Sequence, residues 1–252
     1  MGNKINKLLS EGIPNGVFFS KWLTANNYSP QLLSQYKKSG WLESLDRSVY
    51  YRAGEQLSAY AAVASNAIQT NDNLRLAAHS ALELHGIMHF IPMGKPLAVV
   101  TTDIRHKMQW LHAPLFDRQF VYFHTQQLSD MPPERIIYND LQIPVSSQEL
   151  AVMECLYLAP KQYSYMDVYY LVEQLGGLRP EIIQELLEKS TNFRVKRMFL
   201  YMAEKTGFEW FMNLDLRRID LGSSILQLTT ANGTFIKKYN MVIPLELKNY
   251  EL

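Results

Sequence analysis

Residues 22–52 read WLTANNYSPQLLSQYKKSGWLESLDRSVYYR, and the fold expected for the start of the chain follows from them. The pair Ser29-Pro30 predicts a helix start, because serine caps helix N-termini and proline suits the first helical position. We expect the helix to cover residues 30–39 and to end at Gly40, a typical C-cap. Three apolar side chains at helical spacing are expected to face inward: Leu32, Leu33 and Tyr36.

The segments on either side of this helix complete a recognisable order. Two amphipathic stretches predict helices over residues 4–11 and 18–26, and two short strands are expected at 41–42 and 49–52. Helix, helix, short turn, helix and hairpin is the order of a winged helix-turn-helix. The sequence therefore predicts a winged helix-turn-helix DNA-binding domain over residues 1–55, with a small helical bundle carrying a hairpin as the alternative.

The exposed face expected for the helix at residues 30–39 carries groups that suit DNA. Glutamine amides can pair with adenine in the major groove, and lysines at the helix end suit phosphates. Arg47 lies in the expected hairpin turn, residues 44–47, where it can reach a minor groove or the backbone. The expected DNA contacts are Ser29, Gln31, Ser34, Gln35, Lys37, Lys38 and Arg47.

The charge of this segment supports DNA binding only weakly. Residues 1–55 carry seven Lys or Arg against four Asp or Glu, a net charge of +3, whereas the whole chain has a formal charge of +1. A mildly basic small domain can bind phosphate backbones, but charge alone does not identify one.

The rest of the chain mixes strands and helices. An alanine-rich stretch at residues 57–68 predicts a connector helix, and a polar linker follows it. Strands are expected at 97–101 and 119–123, helices at 147–158, 165–175, 180–189 and 195–205, and a hairpin of 224–230 and 234–243 around the turn 231–233. The expected fold class is α+β, comprising the winged helix-turn-helix domain (1–55), a connector helix and linker (56–72) and a larger mixed C-terminal domain (73–252).

Catalytic constellations are missing from the sequence. It contains no phosphate-binding loop, dinucleotide-binding glycine motif, nucleophile elbow or HExxH zinc motif. Asp215 and Asp220 bracket two arginines, a pattern open to a metal-dependent nuclease, with surface charge as the default interpretation. His85 and His89 are spaced for a shared metal, but no third ligand follows at a suitable spacing. We therefore expect no catalytic residue, no metal and no cofactor.

Three further features concern compartment and partners. The single cysteine, Cys155, rules out an intrachain disulfide and fits a reducing cytoplasm. No apolar stretch approaches the roughly 18 residues of a membrane span, so no membrane partner is expected. The basic group Arg194, Lys196 and Arg197 predicts a surface for an acidic partner or DNA backbone, with a solvated helix face as the alternative.

Residues 22–52 resemble the N-terminal domain of AbiEi-type antitoxins, from type IV toxin–antitoxin and abortive-infection systems. The resemblance rests on Trp22, the helix start at 29–33, the block YKKSGWL and the closing Val49-Tyr50 with Arg52. Further blocks match in the same order: LAAHSALELHGIMHFIPMG (76–94), ELAVMECLYLAP (149–160), GGLRPEIIQELLE (176–188), RVKRMFLYMAEKTG (194–207) and IDLGSS (219–224). One departure is Ser48, where the family pattern has glycine, so the wing turn and Arg47 can be placed differently.

The resemblance implies a two-part regulator. Its winged helix binds operator DNA and represses its own operon, and its C-terminal domain counteracts a nucleotidyltransferase-like toxin encoded next to it. It implies neither catalysis by the antitoxin nor a direct contact between the two proteins. Two alternatives remain at this stage: a stand-alone transcription factor with a ligand- or partner-sensing C-terminal domain, and a nuclease that uses Asp215 and Asp220.

Overall fold

The computed structural model describes residues 2–88, 94–103, 108–128 and 131–250. Its contacts divide the chain into two compact units. The first, called here the N-terminal unit, comprises residues 1–80, 91–124 and 133–145, and the second, the C-terminal unit, comprises 81–90, 125–132 and 146–252. Helices and strands occur in both units, so the mixed α+β fold class is confirmed.

Three helices and a small sheet open the N-terminal unit. The elements are α1 (Gly2–Glu11), β1 (Phe18–Phe19), α2 (Ser20–Ala25), α3 (Pro30–Lys38), β2 (Leu42–Asp46) and β3 (Val49–Arg52). The strands pair antiparallel in the order β1-β3-β2. Their apolar sides and those of the helices share one core cluster: Ile5, Leu8, Phe18, Leu23, Tyr28, Leu33, Tyr36 and Leu42.

Two predictions for this region are wrong. Phe18 and Phe19, expected at the start of a helix, form β1 instead and pair with Tyr50 and Val49. Burial of both rings favours this strand, since aromatic residues fit a half-buried sheet surface. The hairpin turn also lies later than residues 44–47: β2 continues to Asp46 through a register shift, and the turn falls at residues 47–48.

The helix expected at residues 57–68 is present as α4 (Ala59–Gln69), and it lies in the interior. Every residue from 59 to 66 is buried, including the polar Ser65 and Asn66. A helix that is apolar on all sides belongs in a protein interior. It contacts β1 and also the strand β8, which is described next.

A five-stranded sheet fills the remainder of the N-terminal unit. Its strands are β4 (Arg75–Leu76), β5 (Leu97–Thr101), β6 (Gln119–Phe123), β7 (Glu134–Tyr138) and β8 (Leu141–Val145), in the order β6-β5-β4-β8-β7. The bounds of β5 and β6 agree with those expected. The β7–β8 hairpin was not expected, although Asn139 and Asp140 both have positive φ, +47° and +62°, as a two-residue hairpin turn requires.

Helices dominate the C-terminal unit. They are α6 (Gln148–Leu158), α7 (Tyr165–Val172), α8 (Pro180–Lys189), α9 (Phe193–Thr206), α10 (Glu209–Met212) and α11 (Leu245–Asn249). A further helix, α5 (Ala78–Leu84), has its first three residues in the N-terminal unit and the rest in the C-terminal unit. The four helices expected between 147 and 205 are confirmed within two to three residues. Serine caps begin two of them: Ser147 Oγ accepts from Leu150 N–H, and Ser164 forms a capping box with Asp167.

The end of the chain departs from the expected hairpin. Three strands form there, β9 (Leu226–Gln227), β10 (Gly233–Ile236) and β11 (Met241–Pro244), in the order β10-β11-β9. β11 lies between the other two, antiparallel to β10 and parallel to β9. A 3-10 turn at Lys237–Tyr239, which buries Tyr239, splits the run expected as one strand.

The predicted domain boundaries at residues 55 and 72 stay predictions, since a division by contacts does not test them. Residues 1–55 share the N-terminal unit with α4 and the five-stranded sheet.

Candidate nucleic-acid interface

The start of α3 is fixed by the turn that precedes it. Asn27 takes φ +64°, a conformation that asparagine tolerates, and Tyr28 N–H then donates to Leu23 O at 2.9 Å. Ser29 is the N-cap, as expected, and its Oγ accepts from Leu32 N–H at 3.2 Å. The exposed Ser29 hydroxyl is therefore engaged in the cap, which limits what else it can accept.

α3 buries one face and exposes the other. Leu33 and Tyr36 are buried in the core cluster, and Leu32 packs against it. The opposite face is exposed and carries Gln31, Ser34, Gln35, Lys37 and Lys38. In the described ranges of the chain, none of these five side chains makes a hydrogen bond or an ion pair. Their donors and acceptors are thus available to a partner.

The end of α3 is closed by backbone hydrogen bonds. Gly40 takes φ +71°, its N–H donates to Lys37 O at 3.2 Å, and Trp41 N–H donates to Tyr36 O at 2.9 Å. This pair of bonds is a Schellman motif, which stops the helix and turns the chain into β2. Lys37 and Lys38 occupy the last turn, where the helix dipole favours positive charge.

The hairpin turn after β2 holds Arg47 in a defined place. Asp46 Oδ1 accepts from Arg47 N–H at 2.6 Å, and Ser48 O accepts from Ser20 N–H, the first residue of α2, at 2.8 Å. The Arg47 side chain is exposed and has no partner among the described residues. The turn backbone is therefore fixed on both sides while the guanidinium stays available.

The acidic residues of this region are all engaged locally. Glu11 pairs with Lys7 at 3.7 Å, and Glu55 pairs with Arg52 at 2.9 Å. Glu43 accepts from the Tyr51 hydroxyl, and burial together with this bond raises the pKa of Tyr51 to about 12. Asp46 caps its own turn, as described above.

Among the described residues of 1–55, four cations in contrast stay exposed with neither an ion pair nor a side-chain hydrogen bond, whereas exposed Lys4 donates to Asn27 O. The four cations are Lys21, Lys37, Lys38 and Arg47. The modest net charge of residues 1–55 is thus concentrated at α2, the end of α3 and the hairpin tip.

Comparisons with known families address the identity of the chain. The profile described as the N-terminal domain of AbiEi antitoxin transcriptional regulators matches residues 1–93. The profile described as the AbiEi antitoxin transcriptional regulator of type IV toxin–antitoxin systems matches residues 99–244. The chain belongs to the AbiEi family. AbiEi proteins are a family of antitoxin regulators, and the resemblance stated from the sequence blocks is confirmed.

A solved structure shares the fold of this AbiEi protein. The crystal structure of the RV2827C protein from Mycobacterium tuberculosis matches with a TM-score of 0.64 and 14% sequence identity, over 95% of this chain and 89% of that chain. At this identity the likeness concerns the fold alone. No protein of curated function matches the sequence. None of the helices in the described parts of the chain has the length and apolar character that crossing a bilayer requires.

Two of the three residues expected as a basic partner surface of this AbiEi protein are buried, and the third, Arg194, is partly exposed. Lys196 and Arg197 are 2% and 0% exposed. Lys196 Nζ donates to Asp220 O at 2.7 Å, and burial lowers the pKa of this amine. Arg197 donates to four backbone carbonyls in later parts of the chain, three in the loop before β9 and one in the turn before β11: Leu221, Gly222, Ser224 and Asn240.

The Arg194 side chain also forms its hydrogen bonds within the chain. Its guanidinium donates to the last carbonyls of α6, those of Leu156, Tyr157 and Ala159, at 2.6–2.9 Å. A cation bonded to a helix C-terminus stabilises that terminus. The prediction of an exposed basic surface at residues 194–197 is therefore wrong for Lys196 and Arg197, and the sequence missed it because the acceptors are backbone carbonyls.

The two carboxylates considered for a nuclease are engaged separately. Asp215 binds Arg217 through hydrogen bonds of 2.9 and 3.1 Å, which lower the pKa of Asp215. Asp220 Oδ1 accepts from Gly222 N–H at 2.8 Å. His85 Nε2 lies 3.0 Å from Ser146 O, and His89 lies outside the described residues. Among the described residues, no group of three or more His, Cys, Asp or Glu could hold a metal.

Two polar residues of α4 were not anticipated from the sequence. Ser65 and Gln69 both bond to the backbone around β1. The only sequence signal for them is their polarity within an alanine-rich apolar helix.

Proposed function

We propose that residues 1–55 form a winged helix-turn-helix that binds operator DNA, with α3 as the recognition helix and the β2–β3 hairpin as the wing. The order and pairing of α1–α3 and β1–β3 support this assignment, because a winged helix-turn-helix needs three helices followed by a hairpin. The observation that carries the proposal is that the polar face of α3 and Arg47 at the wing tip are both exposed and have no side-chain partner among the described residues.

The uncharged and the positively charged side chains on α3 are proposed to make different contacts with DNA. Gln31, Ser34 and Gln35 are uncharged and can hydrogen-bond to base edges in the major groove. Lys37 and Lys38, at the helix end, and Arg47, at the wing tip, supply the phosphate contacts that fix the position of the domain. Ser29 contributes chiefly by capping the helix.

We further propose that the protein represses its own operon and, through residues 73–252, counteracts a nucleotidyltransferase-like toxin encoded next to it. Membership of the AbiEi antitoxin family supports this assignment. The proposal requires opposition to the toxin's effect and does not require a stable complex with the toxin.

DNA titration tests the regulatory half. The full chain is titrated into a labelled duplex from upstream of its reading frame and into a scrambled duplex of equal length. We expect binding about a thousandfold tighter to the upstream duplex at physiological salt. Equal affinity for both duplexes contradicts operator recognition.

Co-expression tests the antitoxin half. The neighbouring toxin gene is induced with and without this protein, and growth is scored. We expect rescue by the wild-type chain and by the triple variant Lys37→Ala, Lys38→Ala, Arg47→Ala, which should lose repression of a promoter reporter. Failure of the wild-type chain to rescue growth contradicts the antitoxin assignment.

A further inference from the structure

The edge of β1 that faces away from β3 has no neighbouring strand among the described residues and is bonded by a helix side chain instead. β1 is only two residues long, and Phe18 pairs with Tyr50 of β3 on one side. On the other side, Gln69 Nε2 donates to Val17 O at 2.9 Å, and Gln69 Oε1 accepts from Phe19 N–H at 2.9 Å. The side-chain amide of Gln69 thus makes the same two bonds that a residue of a neighbouring strand would make.

Two further features hold α4 against this edge. Ser65 Oγ accepts from Val17 N–H at 3.2 Å and donates to Ala61 O at 2.8 Å. Gly16 is buried, and a Cβ there would lie 2.4 Å from Ser65 Oγ. The approach of α4 therefore depends on the absence of a side chain at residue 16.

β1 in turn holds the hairpin tip. Ser20 directly follows β1, and its N–H donates to Ser48 O at 2.8 Å. Ser48 is the neighbour of Arg47 in the turn. A short series of bonds therefore leads from Gln69 through Phe19 and Ser20 to the tip.

We propose that Gln69 is a positioning residue for Arg47: it never touches DNA, but it sets the place of the wing and so contributes to DNA affinity. This inference rests on the proposed function. Loss of the two amide bonds frees the outer edge of β1, and the tip held by Ser20 then loses its fixed position. The guanidinium of Arg47 must then be ordered during binding, which weakens its contact.

A double-mutant cycle tests the proposal with the full chain. Affinity for the upstream duplex is measured by anisotropy for Gln69→Ala, Arg47→Ala and the double variant. We expect a loss of about tenfold for Arg47→Ala and a smaller loss, about threefold, for Gln69→Ala. Because Gln69 acts through Arg47, the double variant should bind as Arg47→Ala does.

Lys37 provides the matched control, since it lies on α3 and not on the wing. We expect the losses from Gln69→Ala and Lys37→Ala to multiply. Multiplied losses in both cycles, or unchanged affinity in Gln69→Ala, would overturn the positioning role while leaving DNA binding intact. An absence of DNA binding by the wild-type chain would instead overturn the proposed function.

A milder variant keeps the test valid if Gln69→Ala unfolds. Gln69→Glu retains the acceptor for Phe19 N–H and loses the donor to Val17 O. We expect it to fold, as checked by circular dichroism, and to lose affinity only when Arg47 is present. Wild-type affinity in the folded Gln69→Glu variant would overturn the proposal.

Discussion

Arg197 Nη1 donates to the carbonyl of Asn240 at 2.9 Å and so ties α9 to the turn before β11. The same guanidinium binds three more carbonyls between residues 221 and 224. Buried Arg197 thus substitutes for the regular backbone pairing that this loop lacks. A side chain conspicuous as a charge in the sequence acts as a structural tie in the fold.

Replacing this side chain should be costly. We expect Arg197→Met to lower the free energy of unfolding by about 3 kcal/mol or more, because it leaves several carbonyls without a donor. Urea unfolding followed by circular dichroism measures it. The control is Arg217→Met. The Arg217 side chain is 91% exposed, so this change should lower the free energy of unfolding by less than about 0.5 kcal/mol. Equal losses of unfolding free energy in the two variants would contradict the stabilising role of Arg197.

The Glu149–Arg179 pair predicts a pH dependence of stability. Burial alone would raise the pKa of Glu149, but hydrogen bonds from Arg179 outweigh it and lower the pKa to about 2. A lowered folded-state pKa gives stability that is present above the unfolded value, about 4.3, and lost as pH falls toward 2.

We expect this loss to reach about 3 kcal/mol in the wild type and to be much smaller in Glu149→Gln. Unfolding midpoints between pH 2 and 6 measure it. Glu181→Gln, at an exposed position on α8, serves as the control and should follow the wild-type curve. If Glu149→Gln showed the same dependence of the unfolding midpoint on pH as the wild type, another group would cause the acid sensitivity.

The four cations of residues 1–55 that have no side-chain partner in the described ranges predict the salt dependence of DNA binding. If Lys21, Lys37, Lys38 and Arg47 each neutralise one phosphate, log affinity should fall against log salt with a slope of about −3.5 per bound domain. Lys38→Ala should reduce the slope by about 1. Lys237→Ala, an exposed cation of the C-terminal unit, should leave it unchanged. A slope near zero for the wild type would contradict a phosphate-based contact.

The uncharged part of α3 predicts sequence preference. We expect Gln31→Ala and Gln35→Ala each to lose about 1–3 kcal/mol of discrimination between upstream and scrambled duplexes, with most non-specific affinity retained. Lys37→Ala should weaken both duplexes alike. Competition titrations give both quantities. Preserved discrimination in the glutamine variants would mean that another face of α3 meets the bases.

A truncation at Asn73 tests the burial of α4. A fragment from residue 73 lacks the helix whose residues 59–66 are buried and which contacts β8. We expect it to lack a cooperative thermal transition, because a large apolar face of the sheet becomes exposed. A fragment starting at Ser58, which retains α4 and its N-cap, is the comparison. A cooperative transition in the shorter fragment would show that α4 is dispensable.

Local signals in the sequence predicted α3 and its exposed face well. Ser29-Pro30 and Gly40 mark both ends of α3 through capping chemistry, which acts within a few residues. The spacing of Leu33 and Tyr36 identified the buried face for the same reason.

Long-range contacts account for what could not be predicted. Phe18 and Phe19 form a strand because Val49 and Tyr50, some thirty residues later, offer an edge. Arg197 is buried because carbonyls 24 to 43 residues away converge on it. Neither partner is visible in a local window, and tertiary contacts override local propensity in such cases.

The two hydrogen bonds between Gln69 and the backbone around β1 also matter for the engineering of chimeric regulators. Replacing residues 1–55 with the corresponding segment of another regulator would leave α4 in place, although its Gln69 amide bonds to the strand that has been removed. The exchange should instead include residues 1–69, with a small residue kept at position 16. The transplanted helix must then also present to β8 of this chain the apolar surface that α4 presents.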